Sequence, residues 1–163
     1  MKLESISDIA APIDFVFAQM TDFAAMERAA MRRGSEVQRI DTLTRKGPGM
    51  AWEARFEMRG KPRELRLELS DYTPPEGIGL CFASSSINGT LAIEMVALSR
   101  TRTRVTMALK VVPETLTGKL LVQSMKLARK TLTERIDKRM ATYCADIEKR
   151  HRQRATSNAF YRG

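Results

Sequence analysis

The 163-residue sequence predicts an α+β fold in which an antiparallel sheet packs against a long carboxyl-terminal helix. From Ser35 to about Val112, apolar and polar residues alternate with a period of two, and turn signals recur at hairpin spacing. From Leu121 to Ile147, apolar residues instead recur every three or four positions, as they do along one face of a helix. The length fits one domain, and neither an internal repeat nor a linker indicates a second.

The amino-terminal segment predicts one strand and two short helices. Residues 2–10 read as the strand, and Pro12 suits the first turn of a helix, where its missing N–H costs nothing. The apolar stripe of this helix consists of Ile13, Val16, Phe17 and Met20. Asp22 is placed to cap a second helix, which Gly34 closes.

The segment between residues 35 and 112 predicts a meander of strands with one apolar face. In the clearest strand, polar residues alternate with an apolar set of Met50, Trp52, Ala54, Phe56 and Met58. Leu65, Leu67 and Leu69 form the apolar side of the next strand. We expect Asn88 and Gly89 to form a tight hairpin turn, because Asn-Gly readily adopts the positive φ angles that such turns require.

The residues after Pro113 predict a helix of about 45 Å, capped by Thr115 or Thr117. Its apolar positions are Leu121, Met125, Ala128, Leu132, Ile136, Met140, Tyr143 and Ile147. A coiled coil is the alternative, but the preceding sheet has a bare apolar face that a helix laid across it would cover. Residues 152–163 lack a period, so we expect one domain over residues 1–151 followed by a basic, flexible tail.

The formal net charge of +9 is unevenly distributed along the chain. Residues 1–27 contain one basic and five acidic residues, whereas residues 110–163 contain thirteen basic and five acidic ones. This asymmetry fits a solvated helix face with a basic tail, transient contact with an anionic membrane, or docking of a protein partner. Nucleic acid is disfavoured, because aromatic residues accompany the bases only at Phe160 and Tyr161.

Compartment and membrane signals predict a cytoplasmic protein. No apolar run approaches the roughly 20 residues that span a bilayer, and the first residues lack the pattern of a signal peptide. The two cysteines, Cys81 and Cys144, lie far apart in sequence, which suits a reducing compartment better than a disulfide scaffold.

The element order, together with one short motif, resembles the START-like superfamily, also called SRPBCC or polyketide cyclase/dehydrase-like. The motif is an Ala-Pro step, an apolar helix with aromatic residues, and an aspartate before the second helix; here these are Pro12, Phe15, Phe17 and Asp22. The resemblance covers about residues 1–150. It implies a helix-grip fold, in which a curved seven-stranded antiparallel sheet wraps around the last helix and leaves an apolar cavity.

The same resemblance implies ligands such as lipids, sterols, polyketides, quinones or aromatic molecules, and in a minority of members catalysis. No catalytic residue is shared across the superfamily, and none is predicted here. His151 lies among arginines near the end of the predicted helix, and two isolated cysteines cannot form a zinc site. The acidic residues of the strands mostly fall on the outward side: Glu53, Glu57, Glu64, Glu68 and Glu94. We therefore predict no metal and no cofactor.

The inward apolar positions predict either a packed core or the lining of a cavity. Ten methionines favour the cavity, because flexible thioether side chains suit adaptable apolar pockets. Trp52 is the preferred wall residue, since its N–H would orient a polar end of the ligand. The full predicted lining is Phe17, Phe23, Met50, Trp52, Phe56, Leu67, Phe82, Met95, Met107, Met125, Leu132 and Ile136.

The function predicted on this basis is the binding of an apolar small molecule, such as a lipid, polyketide, quinone or aromatic metabolite, by a carrier or binding module. The alternatives are a cyclase- or dehydratase-type enzyme that uses the same cavity, and a module whose basic surface contacts an anionic membrane, nucleic acid or a protein partner.

Overall fold

A computed structural model describes residues 1–58 and 60–162, and these form seven strands and four helices. In chain order the elements are β1 Lys2–Ile9, α1 Ile13–Met20, α2 Phe23–Arg32, β2 Glu36–Arg39, β3 Ala51–Met58, β4 Lys61–Thr73, β5 Gly77–Ala83, β6 Ile87–Ser99, β7 Arg102–Pro113, α3 Leu116–Leu127 and α4 Arg129–Tyr161.

The seven strands form one antiparallel sheet with the order β1-β7-β6-β5-β4-β3-β2. Strands β2 to β7 follow one another as a meander, and β1 joins the free edge of β7, so that β1 and β2 are the two edge strands. The sheet curves around its apolar face, which the helices partly cover. The predicted α+β class, the seven-stranded antiparallel sheet and the long carboxyl-terminal helix are confirmed.

The two short helices close one end of the curved sheet. Val16, Phe17 and Met20 of α1 are buried, as the apolar stripe predicted. Asp22 caps α2 by accepting the backbone N–H of Ala25 at 3.1 Å, which satisfies one of the free donors at the helix start.

The predicted Asn-Gly hairpin is wrong, because Asn88 and Gly89 lie inside β6 rather than in a turn. The turn between β5 and β6 is built by serines, and the Ser84 hydroxyl accepts the backbone N–H of Ile87 at 3.2 Å. Gly89 instead lies opposite Phe82, and a Cβ at this position would overlap the Phe82 ring. The glycine is needed for close packing within the sheet.

The carboxyl-terminal helical region consists of two helices that meet at Ala128, whereas the apolar spacing predicted one. Thr115 caps α3 by accepting the Gly118 N–H at 3.0 Å, as predicted. Helix α4 then continues through Tyr161, so most of the segment predicted to be a basic, flexible tail is helical. Arginine, glutamine and alanine in this stretch favour a helix once it has started, even without an apolar stripe. Gly163 lies outside the described residues.

Helix α4 packs chiefly against the edge strand β1. Hydrogen bonds set its position: the Ser5 hydroxyl donates to Asp137 at 2.6 Å, and the Ala10 N–H donates to Glu148 at 2.7 Å. Helix α3 packs against β7. The two helices therefore follow different parts of the curved sheet, and each makes its main sheet contacts near one edge.

Candidate functional site

The apolar face of the sheet is fully buried at one end and partly open at the other. Around the start of β3, Met50 and Trp52 are 4% and 5% exposed. Further along the same face, Phe56 is half-buried and Met58 is 41% exposed. The exposure of the apolar face to solvent therefore increases along a single strand.

Strands β4, β5 and β6 and helix α4 show the same gradient in the same direction, whereas β1 and β7 are also buried at the other end, at Leu3 and Val111. The fully buried ends are marked by Leu69 of β4, Ile78 of β5, Met95 of β6, Val105 of β7 and Ile147 of α4. We call this the packed half; it contacts α1 and α2 and holds most of the hydrophobic core. The open half consists of inward-facing apolar side chains that are only half-buried: Phe56, Leu65, Leu67, Leu80, Phe82, Leu91, Ile93, Met107, Leu109, Leu121, Met125, Leu132 and Ile136.

The helix positions explain the open half. The main contacts of α4 with the sheet are on β1, those of α3 are on β7, and α2 lies beside β2. The middle strands in the open half therefore lack the close helix packing that covers their other ends. Apolar side chains with this much solvent contact form a surface that favours an apolar partner.

A groove of about 920 Å³ lies in the open half, between the β3–β4 hairpin and α3. Its inward-facing lining includes Ala54, Phe56, Arg63, Leu65, Ile87 and Leu121, with the serine turn Ser84–Ser86 beside them. It also borders outward-facing residues such as Glu53 and Arg66, so the groove opens to solvent around the hairpin. Its size is within the roughly 300–1,000 Å³ typical of small-molecule sites.

The twelve predicted lining residues divide between the two halves. Five are buried in the packed half: Phe17, Phe23, Met50, Trp52 and Met95. Seven are half-buried in the open half: Phe56, Leu67, Phe82, Met107, Met125, Leu132 and Ile136. That any of the twelve contacts a ligand stays a prediction.

The indole N–H of Trp52 already has a partner, so the expectation that it orients a ligand is wrong. It donates to the Glu27 carboxylate at 2.7 Å, and the ring packs on Phe23 with 5.2 Å between centroids. Trp52 thus ties α2 to the sheet in the packed half. Sequence reasoning missed Glu27, because it lies far along the chain on another element.

The histidine and the two cysteines that were considered for chemistry lie in surroundings that indicate structural roles. His151 is not near the helix end, because α4 continues beyond it, and its ring lies 4.9 Å from that of Phe15. Cys81 is exposed on the outer face, where it alternates with the inward-facing Leu80 and Phe82. Cys144 is buried, and burial raises the pKa of its thiol, which keeps it protonated. Burial likewise raises the pKa of Tyr143.

Arg63 is the residue of the groove that sequence reasoning missed. It shares the inward parity of Leu65 and Leu67, and is half-buried between the exposed Pro62 and Glu64. The alternation of β4 therefore contained the signal, although a charged residue is not expected on an apolar face.

Helix α3 carries a second apolar surface, directed away from the groove. Leu116, Leu120 and Leu127 are 75%, 68% and 85% exposed. Spacings of four and seven residues place them in one line on the helix, and we call them the leucine ridge. Lys119 and Lys126 are exposed on the same helix. Within residues 1–58 and 60–162, no helix is both long and apolar enough to cross a membrane.

Comparisons with known proteins place the fold and leave the activity open. No protein-family model matches the chain, and no curated protein matches its sequence. The Zhui aromatase/cyclase from Streptomyces sp. R1128 is similar in structure, with a TM-score of 0.64 at 12% identity, over 92% of this chain and 94% of that one. The protein TTHA0849 from Thermus thermophilus gives a TM-score of 0.61 at 17% identity, over 92% and 96% of the two chains.

A START superfamily protein from Mycobacterium smegmatis is also similar, with a TM-score of 0.53 at 15% identity, over 84% of this chain and 97% of that one. The chain therefore has the START-like helix-grip fold, which confirms the fold that the sequence resemblance implied.

Proposed function

We propose that this protein binds an apolar small molecule, such as a lipid, polyketide, quinone or aromatic metabolite, in the open half of the helix grip. The observation that carries the proposal is the burial gradient, in which the inward-facing side chains of β3, β4, β5, β6 and α4 become more exposed away from the packed half. A ligand lying on these side chains would remove apolar surface from water, which is the main driving force for binding at such sites.

The domain over residues 1–151 and a cytoplasmic location belong to the same proposal. The free state of both Cys81 and Cys144 suits a reducing compartment. A cyclase- or dehydratase-type enzyme is the alternative use of the groove. It differs from a carrier in releasing its bound molecule chemically altered, which mass spectrometry of the bound and released molecule distinguishes.

Native mass spectrometry of protein purified from its own host tests the proposal directly, with a co-purifying apolar molecule as the expected result. A second test uses the neutral dye Nile red and the variant Leu65→Trp, which fills the groove with an indole ring. We expect this change to weaken dye binding about tenfold or more.

The matched control is Ile6→Trp, which adds the same ring on the outer face, where Ile6 is exposed. This control should bind the dye as the wild type does. Equal binding by both variants would show that the dye lies elsewhere. Protein that yields no bound molecule and no dye binding would overturn the proposed function.

Transient contact with an anionic membrane is a second candidate function, favoured by the leucine ridge. Exposed leucines beside Lys119 and Lys126 combine an apolar strip with positive charge, the pattern of a helix that lies on an anionic bilayer surface. The same helix supplies Leu121 and Met125 to the open half, so docking would place the groove beside the bilayer.

A further inference from the structure

Arg63 brings a positive charge to the apolar groove. On β4 it alternates with exposed neighbours, and its cross-strand partner on β3 is the inward-facing Phe56. It belongs to the groove lining together with Leu65 and Leu121. Placing a guanidinium on an apolar face costs free energy unless a hydrogen-bond acceptor lies within reach.

The described residues do not satisfy this side chain fully. The Nε atom of Arg63 is buried and has no hydrogen-bond partner among them. Buried donors in folded proteins nearly always have a partner, and an unpaired one calls for an explanation such as a ligand or an ordered water. Arg63 as a residue belongs to the lining of an open groove, so an acceptor on a ligand in that groove would lie beside this side chain.

The nearby carboxylates point away from Arg63. Glu53 and Glu57 of β3 and Glu64 and Glu68 of β4 alternate with the inward set and are exposed on the outer face. On that face Glu64 accepts from Arg55 at 2.8 Å. Glu53, Glu57 and Glu64 border the groove from its outer side, and among the described residues none of them forms an ion pair with Arg63 on the inward side.

We propose that the ligand of the groove is an amphipathic acid, whose carboxylate or equivalent single anionic group pairs with Arg63. This inference rests on the proposed function and narrows its ligand class. The planar guanidinium suits a carboxylate because two parallel N–H groups can donate to its two oxygens. The apolar body of the acid would lie along Leu65, Leu67 and Phe82 toward the packed half.

Two matched pairs of probes test the ligand class: dodecanoic acid against dodecanol, and naphthoic acid against naphthalenemethanol. Within each pair the apolar body is the same and only the anionic group differs. We expect wild-type protein to bind the acid of at least one pair about tenfold or more tightly than its alcohol, measured by displacement of Nile red. The pair that shows the preference tells whether the body is linear or aromatic.

Arg63→Met should remove that preference while alcohol binding is kept, and Arg63→Lys should retain part of it, because lysine keeps the charge but loses the two-pronged geometry. Arg100→Met is the matched control, since Arg100 is exposed in the turn between β6 and β7 and does not line the groove. Thermal unfolding verifies that each variant is folded. If the methionine variant is unfolded, the reduced preference of the lysine variant for the acid tests the inference instead.

The outcomes separate this inference from the proposed function. Acid and alcohol bound equally, or equal effects of Arg63→Met and Arg100→Met, would overturn the amphipathic acid and leave an apolar ligand in place. Failure of all four probes and of Nile red to bind would overturn both.

Discussion

Asp41 fixes the irregular segment between β2 and β3. Its carboxylate accepts the backbone N–H groups of Leu43 and Ala51, both at 2.9 Å, and pairs with the Arg39 guanidinium. The guanidinium, helped by the backbone donors, holds the pKa of Asp41 well below its ordinary value. Because Ala51 begins β3, this carboxylate anchors the strand that runs through both halves of the sheet.

Asp41→Asn should lower the melting temperature by a few degrees near neutral pH, and the difference from wild type should narrow in acid. The folded-state pKa is the lower one, so the ionised carboxylate stabilises the fold fully above the unfolded-state pKa of about 3.9. This contribution is lost as the pH falls from there toward the folded-state pKa. Thermal unfolding between about pH 7 and about pH 2 measures it, with the exposed Asp146→Asn as control. A difference that does not change with pH would contradict this role.

At the scale of residues, the side of the sheet that a side chain faces could be predicted from the sequence. The hydrogen-bond partner of a side chain could not. The alternation of β3 and β4 assigned Phe56 and Leu67 to the inward face, and it would have assigned Arg63 there too. The partner of the Trp52 N–H could not be found in this way, because Glu27 lies on α2 and its distance depends on how that helix sits against the sheet.

Gly118 determines how closely α3 approaches the sheet. The residue is buried, and a Cβ added to it would overlap the carbonyl oxygen of Ser86 in the β5–β6 turn. The backbone of that turn is itself engaged, since the Ser86 carbonyl accepts the N–H of Glu114 at 2.9 Å. Neither element can easily move away from the other.

Gly118→Ala should therefore destabilise the protein by about 1–3 kcal/mol, the usual cost of overpacking a tight contact. The sign is the reverse of that at an exposed helix position, where glycine to alanine gains about 1 kcal/mol. Chemical denaturation measures the free energy of unfolding. Ser124→Ala, at an exposed position of the same helix, is the control and should change stability little. An alanine variant as stable as wild type would show that α3 packs less tightly against the β5–β6 turn than the contact between Gly118 and Ser86 indicates.

At the scale of elements, periodicity predicted the strands and helices but not their ends. The break at Ala128 follows no proline or glycine; it occurs where the chain passes from packing on β7 to packing on β1. The Asn-Gly pair was placed in a turn because short-range preference favours it, yet the close approach of Phe82 places Gly89 in a strand. In both cases packing between distant segments outweighs the local signal.

At the scale of the whole molecule, the open half results from the positions at which the helices pack against the sheet. A period of two tells which side of the sheet a residue faces, but not how much cover the opposite layer provides. Leu65 and Leu69 occupy equivalent inward positions of one strand, and only the second is fully buried. The existence of an apolar face could thus be predicted from the sequence, and the position of the uncovered part could not.

The leucine ridge lies on the same helix as Leu121 and Met125 of this uncovered part, and the two together predict that the protein exchanges its ligand at an anionic membrane surface. We expect co-sedimentation with vesicles that contain phosphatidylglycerol, little with phosphatidylcholine alone, and loss of binding as salt is added, because exposed lysines contribute through screened attraction. Leu120→Ser should weaken vesicle binding severalfold by removing the centre of the ridge. Leu98→Ser, at an exposed leucine near the β6–β7 turn, is the matched control and should have no effect. Binding that both serine variants retain, or that neutral vesicles support equally, would contradict the membrane role while leaving ligand binding in the groove untouched.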